Sequence, residues 1–318
     1  GLALVGVIWY QYQTTKKPLQ DLSALPWVPP ALTADAPHYS LSLYGANNVL
    51  ARPLGVAVNS SGDRIYVRES AGARRIRMLD GTGQEINSFF PPDTDEASRV
   101  PLYVTLAPDG RVFVSDRPND TIYTFSATGD YLGTFQPQSV AAEDWHPIGM
   151  AFDKQGNLYV TDITPDKHRV MVFDSSGALK LQFGTEGTAE GQFWFPNAIA
   201  VDSRGRIYVT DGDNGRVQVF DSQGKLLSII PRGFGAGDLA MPRGLAIDGQ
   251  DRLFVVDTSA HTVKVYDISG DSPAFRADFG EYGVGDGQFR FPNGVAVDGR
   301  SRVYITDREG GRLQMWSY

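Results

Sequence analysis

The sequence contains no cysteine, which removes disulfides, cysteine zinc sites and thiol nucleophiles from consideration. Histidine is scarce: His38, His146, His168 and His261 are the whole supply, and no pair stands at a metal spacing such as H-E-x-x-H. Basic charge is in deficit, with 29 Lys and Arg against 37 Asp and Glu and a net charge of −8. No Lys/Arg-rich stripe is present to neutralise a run of phosphates, so nucleic acid is not an expected partner. There is no G-x-S-x-G elbow and no P-loop. The glycine-rich stretches GFGAGD and GVGDGQ lie between β-like runs, the wrong setting for cradling a phosphate at a helix start. Long apolar runs are missing as well. The opening GLALVGVIWY, Gly1 to Tyr10, has half of the about 20 residues needed to cross roughly 30 Å of hydrocarbon.

The residues around the end of that opening give it a direction. Trp9, Tyr10 and Tyr12 precede Lys16 and Lys17, the order of an aromatic belt and a polar flank at the interfacial end of a membrane helix. Residues 1–13 are therefore expected to be a hydrophobic anchor: the end of a membrane helix, a processed signal or an assembly segment. Residues 14–37 carry Pro18, Pro26, Pro29, Pro30 and Pro37, which favour an extended, semi-rigid linker. The remaining chain is then a head held at a membrane or in an assembly, extracytoplasmic or at a cell surface, with protein partners or self-assembly through the N-terminal segment and one face. The lysines lie on the head side, so the positive-inside rule does not fix the orientation.

With 42% hydrophobic residues the chain can bury a large core, and Gly 35 and Pro 19 without a three-residue period indicate many turns. The strongest signal is an internal period. FPNAIAVDSRGRIYVTDGDNGRVQVFD, from Phe195, returns as FPNGVAVDGRSRVYITDREGGRLQMW, from Phe291. Six segments share the template, with prolines at Pro53, Pro101, Pro147, Pro196, Pro242 and Pro292, spaced by 48, 46, 49, 46 and 50 residues. Each leads to an acid, Glu69, Asp116, Asp162, Asp211, Asp257 or Asp307, 16 positions on in the first repeat and 15 in the others. Each repeat holds short β-like runs, as in AIAVD, RIYVTD, RVQVFD and KLLSII of the fourth. A four-stranded unit of this size cannot cover both of its faces alone. Six arranged radially cover one another.

This wording resembles NHL repeats, and the count matches a six-bladed NHL β-propeller. The resemblance spans about Tyr39 to Tyr318; it is specific in GQFWFPNAIAVD and GQFRFPNGVAVD and worn in the first two repeats, where Glu69 replaces Asp and Tyr103 stands at a small-residue position. The expected fold is all-β, a propeller over residues 38–318. The sixth repeat ends at RLQMWSY with three strands. Residues 39–45, YSLSLYG, read like a fourth strand, so the N-terminal strand is expected to close the last blade and hide its edge.

Repetition of this kind serves architecture, because every blade must offer its neighbours the same faces. Function is expected where the repeats differ. In such propellers the residue after each template proline rings the central mouth: Leu54, Leu102, Ile148, Asn197, Arg243 and Asn293. Asn197, Arg243 and Asn293 form the candidate ligand site, two amides about a guanidinium, suited to a carboxylate, a sugar or a peptide carbonyl. Gluconolactonase-like propellers hold calcium at this mouth and peptide-amidating lyases hold metal on histidines. Here the ring has neither carboxylate nor histidine, and no metal, cofactor or catalytic residue is expected. His146 and His261 stand near Pro147 and Asp257 as loop histidines, and Asp211 with Arg216 and Asp307 with Arg312 are expected to be structural ion pairs. The expected role is a non-catalytic interaction, scaffold or structural subunit. A propeller hydrolase or lyase is the alternative, and a ligand-sensing ectodomain another.

Overall fold

A computed structural model describes residues 36–45, 49–95, 100–138, 140 and 144–318. The anchor at residues 1–13 and the linker as far as residue 35 lie outside the described residues. Ala36, at the linker's end, packs against the core.

Six four-stranded antiparallel sheets stand around an axis. Blade 4 shows the plan: Pro196–Val201 innermost, then Ile207–Asp211, Arg216–Phe220 and Leu226–Ile230 outward. Blades 1, 2, 3 and 5 start at Pro53, Pro101, Pro147 and Pro242 and repeat that order. Blade 6 takes Pro292–Val297, Val303–Asp307 and Arg312–Ser317 from the C-terminus and His38–Leu43 from the N-terminus. The pairing runs from His38 opposite Ser317 to Leu43 opposite Leu313. The predicted closure is therefore present, with the strand ending two residues earlier than the sequence suggested.

The template reflects pairing geometry. In all six blades the proline of the first strand stands opposite the acid that ends the second. A one-residue bulge comes after each proline. The extra residue in the first repeat sits in the hairpin turn: Asn59 N–H reaches the Arg64 carbonyl, where blade 2 closes from Ala107 to Arg111. Asp153 and Asp202 open tight turns in which their carboxylates take the backbone N–H groups two and four residues on, and Gly156 and Gly205 supply the positive φ.

The core is divided. Buried apolar side chains form six clusters, each shared by two consecutive blades. Tyr208 and Val217 of blade 4 meet Leu245 and Tyr266 of blade 5, and Leu43 and Tyr304 of blade 6 meet Val67 and Leu79 of blade 1. Blade faces alternate side chains in the strand period of two, so each sheet is buried on both sides by its neighbours. Near the axis the first strands run very close. A methyl added at Gly149 or Gly294 would collide with the carbonyl of Asn197 or Leu54 in the next blade, which is why the template asks for a small residue there.

Candidate functional site

Proline and acid share one end of each blade, so the loops entering the first strand and those leaving the second lie on one face, around the axial mouth. The acids hold that face together. Asp211 Oδ1 accepts the Trp194 N–H at 2.6 Å, and its Oδ2 accepts Arg216 Nε at 2.7 Å. Asp307 repeats this with Arg290 N–H at 2.7 Å and Arg312 Nε at 2.9 Å, and Glu69 does so with Ala51 N–H and Arg77 Nε, both at 2.9 Å. The longer glutamate thus fills the aspartate's place. Burial pushes the Asp211 carboxyl up, while the Trp194 N–H and Arg216 pull against it. The expected ion pairs are structural.

The same network explains FPN. Phe195 and Phe291 take φ values of 54° and 55°, a left-handed conformation that is costly for an aromatic residue. Their N–H groups donate to Nδ1 of His168 at 3.4 Å and of His261 at 3.1 Å. Each imidazole also packs on its phenylalanine, with centroids 4.9 and 4.8 Å apart. Two of the four histidines are therefore braces. Burial moves the His261 imidazole below its ordinary range, opposed by Asp307 and Asp257.

Of the ring residues, the structure brings Asn197 and Arg243 together. Arg243 Nη1 donates to Asn197 Oδ1 at 2.5 Å, and Nη2 faces Asp213 Oδ1 at a long 3.4 Å. Asn197 is 8% exposed and holds its place in the blade 4 strand; Arg243 and Asp213 are 25% and 38% exposed in their side chains. Asn293, on the next first strand, makes no side-chain hydrogen bond among the described residues. Leu54 and Leu102 are half-buried and Ile148 is buried.

Two residues of this mouth were not anticipated. Tyr103 occupies the small-residue position of blade 2, packs against the cluster containing Ala198 and Leu245, and lines the axial cavity of about 230 Å³. It plugs the channel from one wall to the other. Burial of its hydroxyl pushes the pKa up to about 12, with Arg243 and Arg68 pulling the other way. Arg68, 1% exposed, stands in blade 1's second strand one residue before the acid, and its Nε and Nη1 have no hydrogen-bond partner. Burial lowers its pKa to about 9, and Asp116 is the main charge opposing that shift. Four of the other five repeats carry Ser115, Thr161, Thr210 and Thr306 at this position and the fifth carries Val256, so Arg68 was visible in the sequence as the one charge among hydroxyl and apolar residues.

Around the mouth the loops of blades 4 to 6 expose apolar side chains. Trp194, Met241 and Phe291 are 40%, 37% and 40% exposed, and Phe234, Tyr282 and Val284 stand further out on the loops ahead of blades 5 and 6. Across the mouth, between blades 2 and 3, His146 Nδ1 lies 2.6 Å from Asp120 Oδ1 in a groove that Arg117, Pro118 and Ile163 help to line. That pairing joins residues 26 apart in sequence. Among the described residues no group of three His, Asp or Glu side chains is arranged to hold a metal ion, and no helix is long and apolar enough to cross a membrane.

Comparison with known proteins agrees with the architecture. The NHL repeat model matches residues 193–220 and 239–266, in blades 4 and 5. No curated protein matches the sequence. Among solved structures, a streptogramin B lyase aligns with a TM-score of 0.62 at 16% identity, over 88% of this chain and 98% of that one. A catalytically inactive histidine-to-alanine variant of virginiamycin B lyase from Staphylococcus aureus, with quinupristin, aligns at 0.61 and 15% identity over 87% and 98%. The selenomethionine-substituted form of the Staphylococcus aureus lyase aligns at 0.58 and 16% identity over 84% and 95%. At such identities the likeness is one of fold. The chain thus carries NHL repeats in blades 4 and 5, and its fold is a six-bladed β-propeller.

Proposed function

We propose that this propeller is a non-catalytic protein-binding module that engages its partner through the mouth face and is held at a membrane or in an assembly by residues 1–13, outside the cytoplasm. The carrying observation is the set of exposed Trp194, Phe234, Met241, Tyr282, Val284 and Phe291 on the loops ahead of blades 4 to 6, beside the Arg243–Asn197 pair. Clustered exposed aromatics beside an arginine are the composition of an interface core. Both phenylalanines of the FPN segments are braced by histidines, so the arc is presented on rigid supports that lose little entropy on binding. The test is purification of the intact chain from its native membrane with and without Phe234→Ser and Tyr282→Ser. Loss of the copurifying partner at an unchanged melting midpoint is expected; a partner retained by the double variant overturns the reading.

A second reading is a lyase or hydrolase. It is favoured by the proximity of an imidazole and a carboxylate in one groove, His146 Nδ1 and Asp120 Oδ1 being 2.6 Å apart, and by the lyases among the structural neighbours. Incubation with quinupristin separates the two. Turnover that His146→Ala abolishes supports the enzyme, and an unconsumed substrate supports the binding module.

A further inference from the structure

Resting on the reading of the mouth face as a binding surface, we propose that the mouth is built to take a carboxylate group, held by Arg243 together with the side-chain amides of Asn197 and Asn293. Each of the three groups has hydrogen-bonding capacity left to offer. Arg243 spends Nη1 on Asn197 Oδ1 at 2.5 Å, and that bond turns the amide so that its acceptor is used and its Nδ2 donor is not. Neither Asn197 Nδ2 nor the Asn293 amide has a hydrogen-bond partner among the described residues. Arg243 Nη2 keeps only a 3.4 Å contact to Asp213 and a 3.7 Å contact to the Met241 sulfur. The ring positions of blades 4, 5 and 6 thus present consecutive donors with little to receive them.

A donor-rich site selects an acceptor. A sugar hydroxyl would need acceptors as well as donors, and the exposed acceptor beside Arg243 is Asp213. A hard cation would meet Arg243 directly. A carboxylate brings two oxygens and a negative charge, and a guanidinium flanked by amide donors satisfies both. The net charge of −8 opposes an anion at long range, so the attraction must come from cations at the mouth itself. Arg243 and Arg68 both act on the Tyr103 hydroxyl, so two guanidinium charges stand about the plug of the channel. Asp213 and Asp116 are the opposing charges. Asp116 faces Arg68 inside the protein, whereas Asp213 is 38% exposed at 3.4 Å, a contact that an entering carboxylate replaces. Next to these donors stand the apolar side chains of Trp194, Met241 and Phe291, which suits a carboxylate carried on a peptide with apolar residues.

The experiment uses the full chain labelled with ¹⁵N-arginine in mild detergent and tracks the Arg243 Nε–Hε resonance, identified by its loss in Arg243→Lys. Acetate titrated through the millimolar range is expected to move it saturably, while acetamide, its neutral isostere, leaves it in place. Asn293→Leu weakens acetate several-fold, and Asp213→Asn tightens it several-fold by removing the competing negative charge. A peptide ending in a free Phe carboxylate, its C-terminal amide, and an amidated peptide with an internal Glu then tell a chain terminus from an acidic side chain. An unmoved resonance, or equal shifts with acetate and acetamide, overturns the proposal. The partner assay with Phe234→Ser and Tyr282→Ser is independent of charge, so a partner that still needs the arc while acetate fails would reject the carboxylate and leave the binding surface standing.

Discussion

The Thr306 hydroxyl donates to the Leu54 carbonyl at 2.7 Å, across the seam where the last blade meets the first. Thr210 does the same to the Arg243 carbonyl at 2.9 Å, and Ser115 to that of Ile148 at 2.7 Å. Each bond runs from the second strand of one blade to the first strand of the next. At the seam between blades 1 and 2 the position belongs to Arg68, and the strands stand further apart: a methyl on Gly55 would stop 3.2 Å from the Leu102 carbonyl, where one on Gly149, Gly244 or Gly294 would collide with the next blade. The ring is closed more tightly at its chain ends than at this internal seam.

Arg68→Met should therefore stabilise the propeller. It keeps an unbranched side chain of similar length while removing a guanidinium whose Nε and Nη1 are buried without partners. A buried guanidinium short of hydrogen bonds carries a desolvation cost of several kcal/mol that methionine does not, set against a small packing loss and the lost attraction to Asp116. Asp116 retains its hydrogen bond from Asn119 at 3.1 Å. A melting midpoint raised by a few degrees is the expected calorimetric result, and a lowered one would show that Arg68 and Asp116 act as a pair worth keeping.

Closure gives a truncation test. Removing residues 1–35 should leave the melting midpoint unchanged, because the closing strand starts at His38. Removing residues 1–45 should lower it sharply. That deletion strips the outer strand from blade 6 and takes away Leu43, 2% exposed in the seam cluster with blade 1, which alone is worth about 2–3 kcal/mol. Equal midpoints for the two truncations would mean that the last blade stands without its N-terminal strand.

The architecture was legible because it is repeated. Six prolines and six acids at a fixed offset are the printed form of one hairpin, and the missing strand of the last repeat pointed to residues 39–45. Departures from the template were legible as departures but not in meaning. Tyr103 in a small-residue position and Arg68 in a hydroxyl position could be seen; that both come to the plug of the channel depends on side-chain directions across blades. The Asn197–Arg243 bond was anticipated as a cluster, whereas Asn293, at the next ring position, makes no hydrogen bond to either of them. The exposed arc could not be read at all. Trp194 and Phe291 sit in the same template as the buried Phe193 and Phe289, and only the loop geometry decides which ring faces out.

Acid should loosen the mouth before it unfolds the core. His261 Nδ1 accepts the Phe291 N–H, a bond that protonation removes. Burial holds its folded pKa below the ordinary 6.5. With the folded value depressed, the unfolded chain takes the proton first, so the contribution is fully present above pH 6.5 and is lost as pH falls through 6.5 toward the folded value. A stability profile measured by urea unfolding should fall over that window in the parent and flatten in His261→Phe. An unchanged slope in the variant would place the pH dependence elsewhere.

Two aspartates two residues apart should separate scaffold from site. Asp211 is fully buried, holds the Trp194 N–H at 2.6 Å, and neutralises Arg216 at 2.7 Å. Asn at this position can still accept one bond but leaves the half-buried Arg216 guanidinium with its backbone acceptors and without its counter-charge, a loss of about 2–3 kcal/mol. It also slackens the segment that places Phe195 and Asn197, so acetate binding at Arg243 should fall with stability. Asp213 is partly exposed and touches Arg243 only at 3.4 Å, so Asp213→Asn should leave the midpoint within about 0.5 kcal/mol of the parent. It should nevertheless bind acetate more tightly, because Nη2 is then unopposed. Calorimetry and the Arg243 resonance measured on both variants decide the matter: parallel effects would mean that the two carboxylates belong to one structural network, and opposed effects would divide the blade's brace from the mouth's chemistry.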